Sequence, residues 1–242
     1  MTEVRLLDWD SRFFGIPIGR VDFPPDRLNP GAIASALRSA ENMKLACLYL
    51  QMPFVSPEVT AFCARPDFLL VDIKTVLSKR PSPEAPPEEP GWSVVPPEEA
   101  HHPVLEDITE AVSQTSRFRF DPRFGMAGAT RLYRTWLRNS LEGGFVSDFM
   151  VATKDGRAEG FITLRTKDGA PHIDLLGVAG ESRGRGVGGM LIRAAEARVK
   201  TRGAGRLNVV TQGHNIAALR TYQAAGFRIV SQNLFYHVWV EP

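Results

Sequence analysis

Three runs of strand-forming residues, Phe149–Thr153, Ala158–Thr166 and His172–Val178, follow one another with Asp155-Gly156 and Asp168-Gly169 in the breaks. Asp-Gly between β-favouring runs is the strongest short-range hairpin signal, so the three runs are predicted to form an antiparallel meander. Around them the apolar spacing lengthens to that of a helix. Ala127–Leu141 sets Leu132, Trp136 and Leu137 among Arg and Thr, and Gly143-Gly144 closes it as a C-cap. Val187–Arg202 is a second helix, ended by Gly203. Leu207–Thr211 returns to strand, Asn215–Ala225 to helix with Gly226 at its C′ position, and Phe227–Val240 to strand. With Trp92–Val95 as a first strand, the order is β, α, meander, α, β, α, β. That is an α/β (α+β) arrangement, a mixed sheet flanked by helices.

The first third of the chain is built from similar pieces. Asn29 can cap a helix with Pro30 at its first position, and Ser56-Pro57-Glu58 offers a second such start. The series strand Ala46–Gln51, helix Pro57–Ala64, strand opening at Phe68 echoes strand Leu207–Thr211, helix Asn215–Ala225, strand opening at Phe227. A partial copy of the C-terminal fold, without its glycine-rich loop, is the picture this suggests. Between the two parts lies Ser78-Lys79-Arg80-Pro81-Ser82-Pro83-Glu84-Ala85-Pro86-Pro87-Glu88-Glu89-Pro90-Gly91. Proline locks φ and removes a donor, so this run reads as an extended linker. The expected organisation is an N-terminal αβ domain over 1–78, a linker over 79–91 and a larger domain over 92–242.

Composition narrows the class of partner. A chain of 242 residues with 43% hydrophobic and 23% charged residues has the make-up of a soluble globular protein. The net charge of +2 gives no polybasic footprint for nucleic acid or a membrane surface. Nowhere do some 18 apolar residues run together, and Met1–Asp10 mixes charged with apolar residues, so neither a membrane span nor a signal peptide is expected. A cytoplasmic location follows as an expectation. Cys47 and Cys63 have neither the spacing nor the histidine company of a metal site, and two buried free thiols are expected.

The most informative stretch is Leu176-Gly177-Val178-Ala179-Gly180-Glu181-Ser182-Arg183-Gly184-Arg185-Gly186-Val187-Gly188-Gly189. A strand ends, a glycine-dense turn follows and a helix begins. The first N–H groups of a helix have no intrahelical partner, and the helix dipole favours an anion there. Glycines let such a backbone lie against a pyrophosphate, and Arg183 and Arg185 add charge. The plainer alternative is a solvated basic loop. It is no Walker loop, since no Gly-Lys-Ser/Thr follows, and its strand belongs to a meander, unlike that of a dinucleotide fingerprint.

Arg183-Gly184-Arg185-Gly186-Val187-Gly188 resembles the Arg/Gln-x-x-Gly-x-Gly/Ala pyrophosphate motif of the GNAT acetyltransferase superfamily. Val178 stands where that family's strand ends, with Gly180 in place of the common proline. Asn215-x-x-Ala218-x-x-x-Tyr222-x-x-x-Gly226-Phe227 resembles the family's second signature. The resemblance covers roughly 92–242 and implies a GNAT fold and an acetyl-CoA-dependent N-acetyltransferase. It implies that Leu176, Gly177 and Val178 face the pantetheine arm and thioester, and that Arg183, Gly184, Arg185, Gly186, Val187, Gly188 and Gly189 hold the pyrophosphate. Asn215 and Ala218 join them as cofactor-binding residues. By the same resemblance Tyr222 is the general acid that protonates the departing thiolate. No metal is implied. For the general base His172, Asp174, His214 and a water chain all stay open.

Further segments narrow the acceptor. Leu7-Asp8-Trp9-Asp10-Ser11-Arg12-Phe13-Phe14-Gly15, Ser116-Arg117-Phe118-Arg119 and Val210-Thr211-Gln212 are similar to a GNAT subfamily, the TDP-4-amino-4,6-dideoxygalactose (dTDP-fucosamine) N-acetyltransferases of bacterial surface-polysaccharide synthesis. That implies a small-molecule amine, a TDP-linked amino sugar, as substrate, with Arg117 and Phe118 as its contacts. A loop whose Phe residues plug the core and whose Arg residues face water is the alternative for Arg117 and Phe118. Phe13-Phe14 reads as a core anchor or as a wall of the acceptor site. The acetyl-CoA motifs alone would equally serve a protein N-terminus, an amino acid, a polyamine or an aminoglycoside, or a non-catalytic acyl-CoA-binding module. A homodimer is common in the family.

Overall fold

The computed structural model describes residues 3–53, 56–82 and 90–240. Of the linker expected at 79–91, residues 83–89 lie outside the described residues. In chain order the elements are β1 (Arg5–Leu6), α1 (Asp8–Phe14), β2 (Ile18–Asp22), α2 (Pro30–Asn42), β3 (Cys47–Met52), α3 (Pro57–Cys63) and β4 (Phe68–Lys79). They continue with β5 (Trp92–Val95), α4 (His102–Ser113), α5 (Gly125–Glu142), β6 (Asp148–Lys154), β7 (Arg157–Lys167) and β8 (Ala170–Val178), and end with α6 (Val187–Thr201), β9 (Leu207–Gln212), α7 (Ile216–Ala224) and β10 (Arg228–Trp239).

Two compact units result, one of residues 1–74, 120–123 and 232–242, the other of 75–119 and 124–231. Segments 120–123 and 232–242 group with residues 1–74, and residues 75–79 with the second unit. Leu77, near the end of β4, is fully buried in the α6 core of the second unit, and Lys79 pairs with the buried Glu196 of α6. The end of β10 belongs to the first unit, where Leu234–Trp239 pair antiparallel with Cys47–Met52. Hydrophobic spacing marks β4 and β10 as strands but carries no information about which core each end enters.

In the first unit the strands run β1–β2–β3–β10, with β2 and β3 parallel. Asn29 accepts a hydrogen bond from the Ala32 N–H and Ser56 from the Val59 N–H, so α2 and α3 start where side-chain caps satisfy orphaned donors. Ile33, Ala36, Leu48, Leu50, Val59 and Phe68 fill the core, and Cys47 and Cys63 are buried free thiols. Helix α1 has no buried residue: Trp9 and Phe13 stack at 5.1 Å and Phe14 meets Phe13 edge-on. The Phe13-Phe14 pair is thus a half-exposed aromatic cluster and no core anchor.

The second unit carries the meander, in the order β9–β8–β7–β6–β5. Both of its tight turns place two successive residues at positive φ, Asp155 and Gly156 at 48° and 81°, Asp168 and Gly169 at 50° and 75°. That geometry matches the twist of the flanking strands and explains the Asp-Gly choice. Helix α4 was not anticipated. Its Pro103 start and the spacing Leu105, Ile108, Val112 are helical signals, and Leu105 and Ile108 are buried. A Cβ on Gly177 would lie 2.4 Å from Ile108 of α4, whereas the neighbouring Val178 points at Gly188 of α6. Successive strand residues face opposite sides, so α4 and α6 cover opposite faces of the sheet.

Candidate functional site

The site begins at the edge of β8. Strand β8 pairs antiparallel with β7 from Ala170 to Val178, but its parallel register with β9 covers only His172↔Asn208 and Ile173↔Val209. Past Ile173 the two strands part, and the β9-side edge of residues 174–178 offers backbone groups to a bound chain. A bulge accompanies the parting, since Leu164 opposes Ile173 and Thr163 opposes Leu175, leaving Asp174 as the extra residue. His172 lies opposite Arg165, and Asp174 reaches the same guanidinium with a 2.6 Å contact. The two polar residues therefore share a face, as alternation predicts. Beyond the bulge, half-buried Leu176 and Val178 pack with the α6 core while Gly177 turns to α4.

After Val178 the chain makes a short 3-10 turn, Gly180–Ser182, held from below by Glu159 of β7. The Ala179 N–H donates to the Glu159 carbonyl at 2.8 Å, and the Ser182 hydroxyl donates to the Glu159 carboxylate. Sequence reasoning missed this clamp, whose partners stand 23 residues apart with no shared pattern. Gly184 and Gly186 sit at φ +75° and +82°, the left-handed region where glycine is needed. A Cβ at either would meet nothing within 4 Å, so the space over the loop is open. Arg183 and Arg185 are exposed, and Arg183 Nε donates to the Val178 carbonyl at 3.3 Å.

Helix α6 then starts at Val187 with no side-chain cap and no acidic residue in its first turn. Its first intrahelical bond of this end runs from the Met190 N–H to the Gly186 carbonyl, so the N–H groups of Val187, Gly188 and Gly189 point outward without helical acceptors. Gly188 is glycine for packing, since a Cβ there would come within 3.1 Å of Thr221 on α7. Three outward donors, two arginines and an open, left-handed backbone fit a pyrophosphate group.

Helix α7 supplies Tyr222, which is 5% exposed and meets Phe227 edge-on. Burial pushes its phenol well above its ordinary value, so it holds its proton. Asn215 is the N-cap of α7: its side-chain oxygen accepts from the Ala218 N–H at 3.1 Å, and its amide donates to Thr115 at 3.3 Å. Asn215 and Ala218 together thus start the helix that carries Tyr222.

His172 and Asp174 differ as proton acceptors. Burial, helped by Lys167, pushes the His172 ring below its usual value against the pull of Asp168 and Asp174. Burial raises the Asp174 carboxyl, and Arg165 opposes that. His214, before α7, is exposed. In the mid-chain loop Phe118 is 2% exposed and packs edge-on against Phe124, as the core-plug alternative describes. Half-buried Arg117 lies over that ring at 4.3 Å, and Phe120 is the exposed aromatic of the segment. Among the described residues no cluster of three His, Cys, Asp or Glu could hold a metal, and no helix is long and apolar enough to cross a membrane.

Comparison with known proteins agrees with this geometry. Residues 109–227 match the acetyltransferase (GNAT) family model. The chain is 26% identical over 238 residues to a dTDP-fucosamine acetyltransferase of Escherichia coli O6:H1 (strain CFT073), covering 95% of each. It is 25% identical over 150 residues to the spore coat polysaccharide biosynthesis protein SpsD of Bacillus subtilis (strain 168), a match that spans 62% of this chain and about half, 52%, of that protein. Among solved structures, a GCN5-related N-acetyltransferase from Sphaerobacter thermophilus superposes with a TM-score of 0.63 at 16% identity, covering 99% of this chain and 76% of its own. Residues 109–227 thus carry a GNAT-family acetyltransferase domain, and the mixed sheet flanked by helices is the fold of solved GNAT structures.

Proposed function

We propose that this chain is an acetyl-CoA-dependent N-acetyltransferase that acetylates the 4-amino group of a nucleotide-linked 4-amino-4,6-dideoxy sugar, in the synthesis of a surface polysaccharide. The observation that carries the reading is the similarity to the dTDP-fucosamine acetyltransferase along 95% of both chains, the first unit included. A match confined to the acetyl-CoA motifs would speak for the donor alone. Acetyl-CoA supplies an activated acetyl thioester to the attacking amine. The protein's part is to hold and orient the two substrates and to move protons while the amine attacks directly.

The outward N–H groups of Val187, Gly188 and Gly189, with Arg183 and Arg185, hold the pyrophosphate. The open edge of Leu176, Gly177 and Val178 orients the pantetheine arm, and its N–H donors polarise the thioester oxygen, a contribution of ~3 kcal/mol in comparable sites. Tyr222 keeps its phenolic proton for the thiolate sulfur. His172 takes the proton of the amine: its lowered basicity leaves it neutral near pH 7, while the Asp174 carboxylate is already engaged by Arg165. Arg117 and the neighbouring Arg119 give the loop before α5 cationic groups suited to a nucleotide diphosphate.

The test is thiol release from acetyl-CoA by the purified protein, offered TDP-4-amino-4,6-dideoxygalactose, its gluco epimer, a peptide amine and an aminoglycoside. Release with one amino sugar is expected. Release with the peptide or the aminoglycoside alone would leave the acetyl-CoA site intact and remove the nucleotide sugar as acceptor.

A further inference from the structure

Helix α6 bears a third cation near its start that the loop motif does not include. Helical side chains lean toward the helix N-terminus, and Arg193, one turn past Gly189, follows that rule. Its Nη1 lies 3.4 Å from the place a Cβ on Gly189 would occupy. Gly189 has an ordinary helical backbone, where alanine would serve the helix better, and its missing side chain leaves the space in which the guanidinium rests.

Among the described residues no carboxylate pairs with that guanidinium. Its Nε is buried, and among the described residues it has no hydrogen-bond partner. The other arginines toward the end of α6 differ: Arg198 and Arg202 both reach Asp148. The helix's one carboxylate, Glu196, is taken by Lys79. An unpaired cation half-buried near the positive end of a helix is disfavoured by the dipole, and a buried donor without an acceptor is disfavoured as well. Arg183, Arg185, Arg193 and three outward N–H groups gather at one helix end without an acid in its first turn. A bound polyanion relieves all of these together.

We propose that Arg193 is a further phosphate-binding residue of the acetyl-CoA site, its guanidinium laid back over Gly189 toward a phosphate group of the cofactor. The proposal rests on the assignment of the loop to the pyrophosphate. The experiment compares dissociation constants for acetyl-CoA and 3′-dephospho-acetyl-CoA among the wild type, Arg193→Gln, Arg193→Lys and Gly186→Asp, at two salt concentrations and with melting temperatures recorded. Arg193→Gln is expected to weaken acetyl-CoA binding about tenfold, the loss of one charge-assisted contact, with a shallower salt dependence and no loss of melting temperature. Arg193→Lys should recover part of the affinity, which a merely structural role would not predict. A deficit that vanishes with 3′-dephospho-acetyl-CoA assigns Arg193 to the 3′-phosphate, and one that persists assigns it to the pyrophosphate. Equal affinity of Arg193→Gln and wild type, while Gly186→Asp loses binding, overturns the proposal and leaves the loop standing. Full affinity in Gly186→Asp would instead refute the loop assignment.

Discussion

At the scale of single residues, burial decides the chemistry. Tyr222 was legible in the sequence only through the motif around it, because an aromatic on an amphipathic helix is ordinarily packing. In the structure it is packing as well, 5% exposed against Phe227, and that burial holds its proton in place. Replacing it by Phe keeps the ring and removes the proton. Turnover should fall by about 10²–10⁴-fold with little change in the KM for acetyl-CoA, and steady-state kinetics would show it. An unchanged kcat would exclude Tyr222 as the acid. His172 makes a pH prediction. A base must be neutral, and burial holds this ring below the ordinary 6.5. The rate should therefore rise with pH through a midpoint under 6.5 and be level at 7. In His172→Ala the kcat/KM profile should lose that limb along with most of the rate; a variant that keeps the limb would assign it to another group.

At the scale of elements, close approach explains what motif spacing cannot. Gly177 belongs to the stretch that resembles a cofactor strand, yet the added Cβ would lie 2.4 Å from Ile108 and 3.1 Å from Val112. The glycine is there because α4 presses on β8. Gly177→Ala should lower stability by about 1–3 kcal/mol through overpacking, read as a lower denaturant midpoint with an unchanged m-value. A midpoint equal to the wild type's would show that α4 can yield. Gly184 and Gly186 are different: open space and positive φ make them glycines of conformation. The three arise from two different causes, and a sequence writes all of them with one letter.

At the scale of the whole molecule, residues far apart in the chain make one buried polar group in the first unit. Asp121 and His237 are both fully buried and 2.7 Å apart, Trp239 Nε1 donates to the same carboxylate at 3.0 Å, and Tyr49 stacks on the imidazole at 4.5 Å. A carboxylate only accepts, so His237 Nδ1 carries the hydrogen. Burial alone would raise the Asp121 carboxyl. The hydrogen bonds from His237, the Arg123 N–H and Trp239, with the charge of His237, outweigh it and hold the group below the usual carboxylate range. A carboxylate depressed in the folded state stabilises the fold above its unfolded value and stops doing so as pH falls through the folded one. Melting temperature should then drop steeply below about pH 4, and less steeply in Asp121→Asn. That variant should also lose about 3 kcal/mol at pH 7 by leaving the pair broken; equal acid slopes would remove Asp121 from the transition.

Local pattern was enough for the meander, because Asp-Gly turns and strand-forming runs are short-range signals. It was enough for α5, α6 and α7, which have caps or glycine stops, and for the loop before α6, where backbone N–H groups need no distant partner. The paired signatures around Arg183 and Tyr222 carried the family. What only tertiary structure decided depends on residues distant in sequence: Glu159 under Ser182, the Asn215 amide on Thr115, Phe118 turned into the core. The same holds for Leu77 and Lys79, which leave the first unit's strand to enter the α6 core. Helix α4 falls between, since its spacing was present but its consequence at Gly177 was not. The reason is physical: caps, turns and periodicity are settled within a few residues, whereas burial, ion pairing and steric room are set by whichever segments the fold brings alongside.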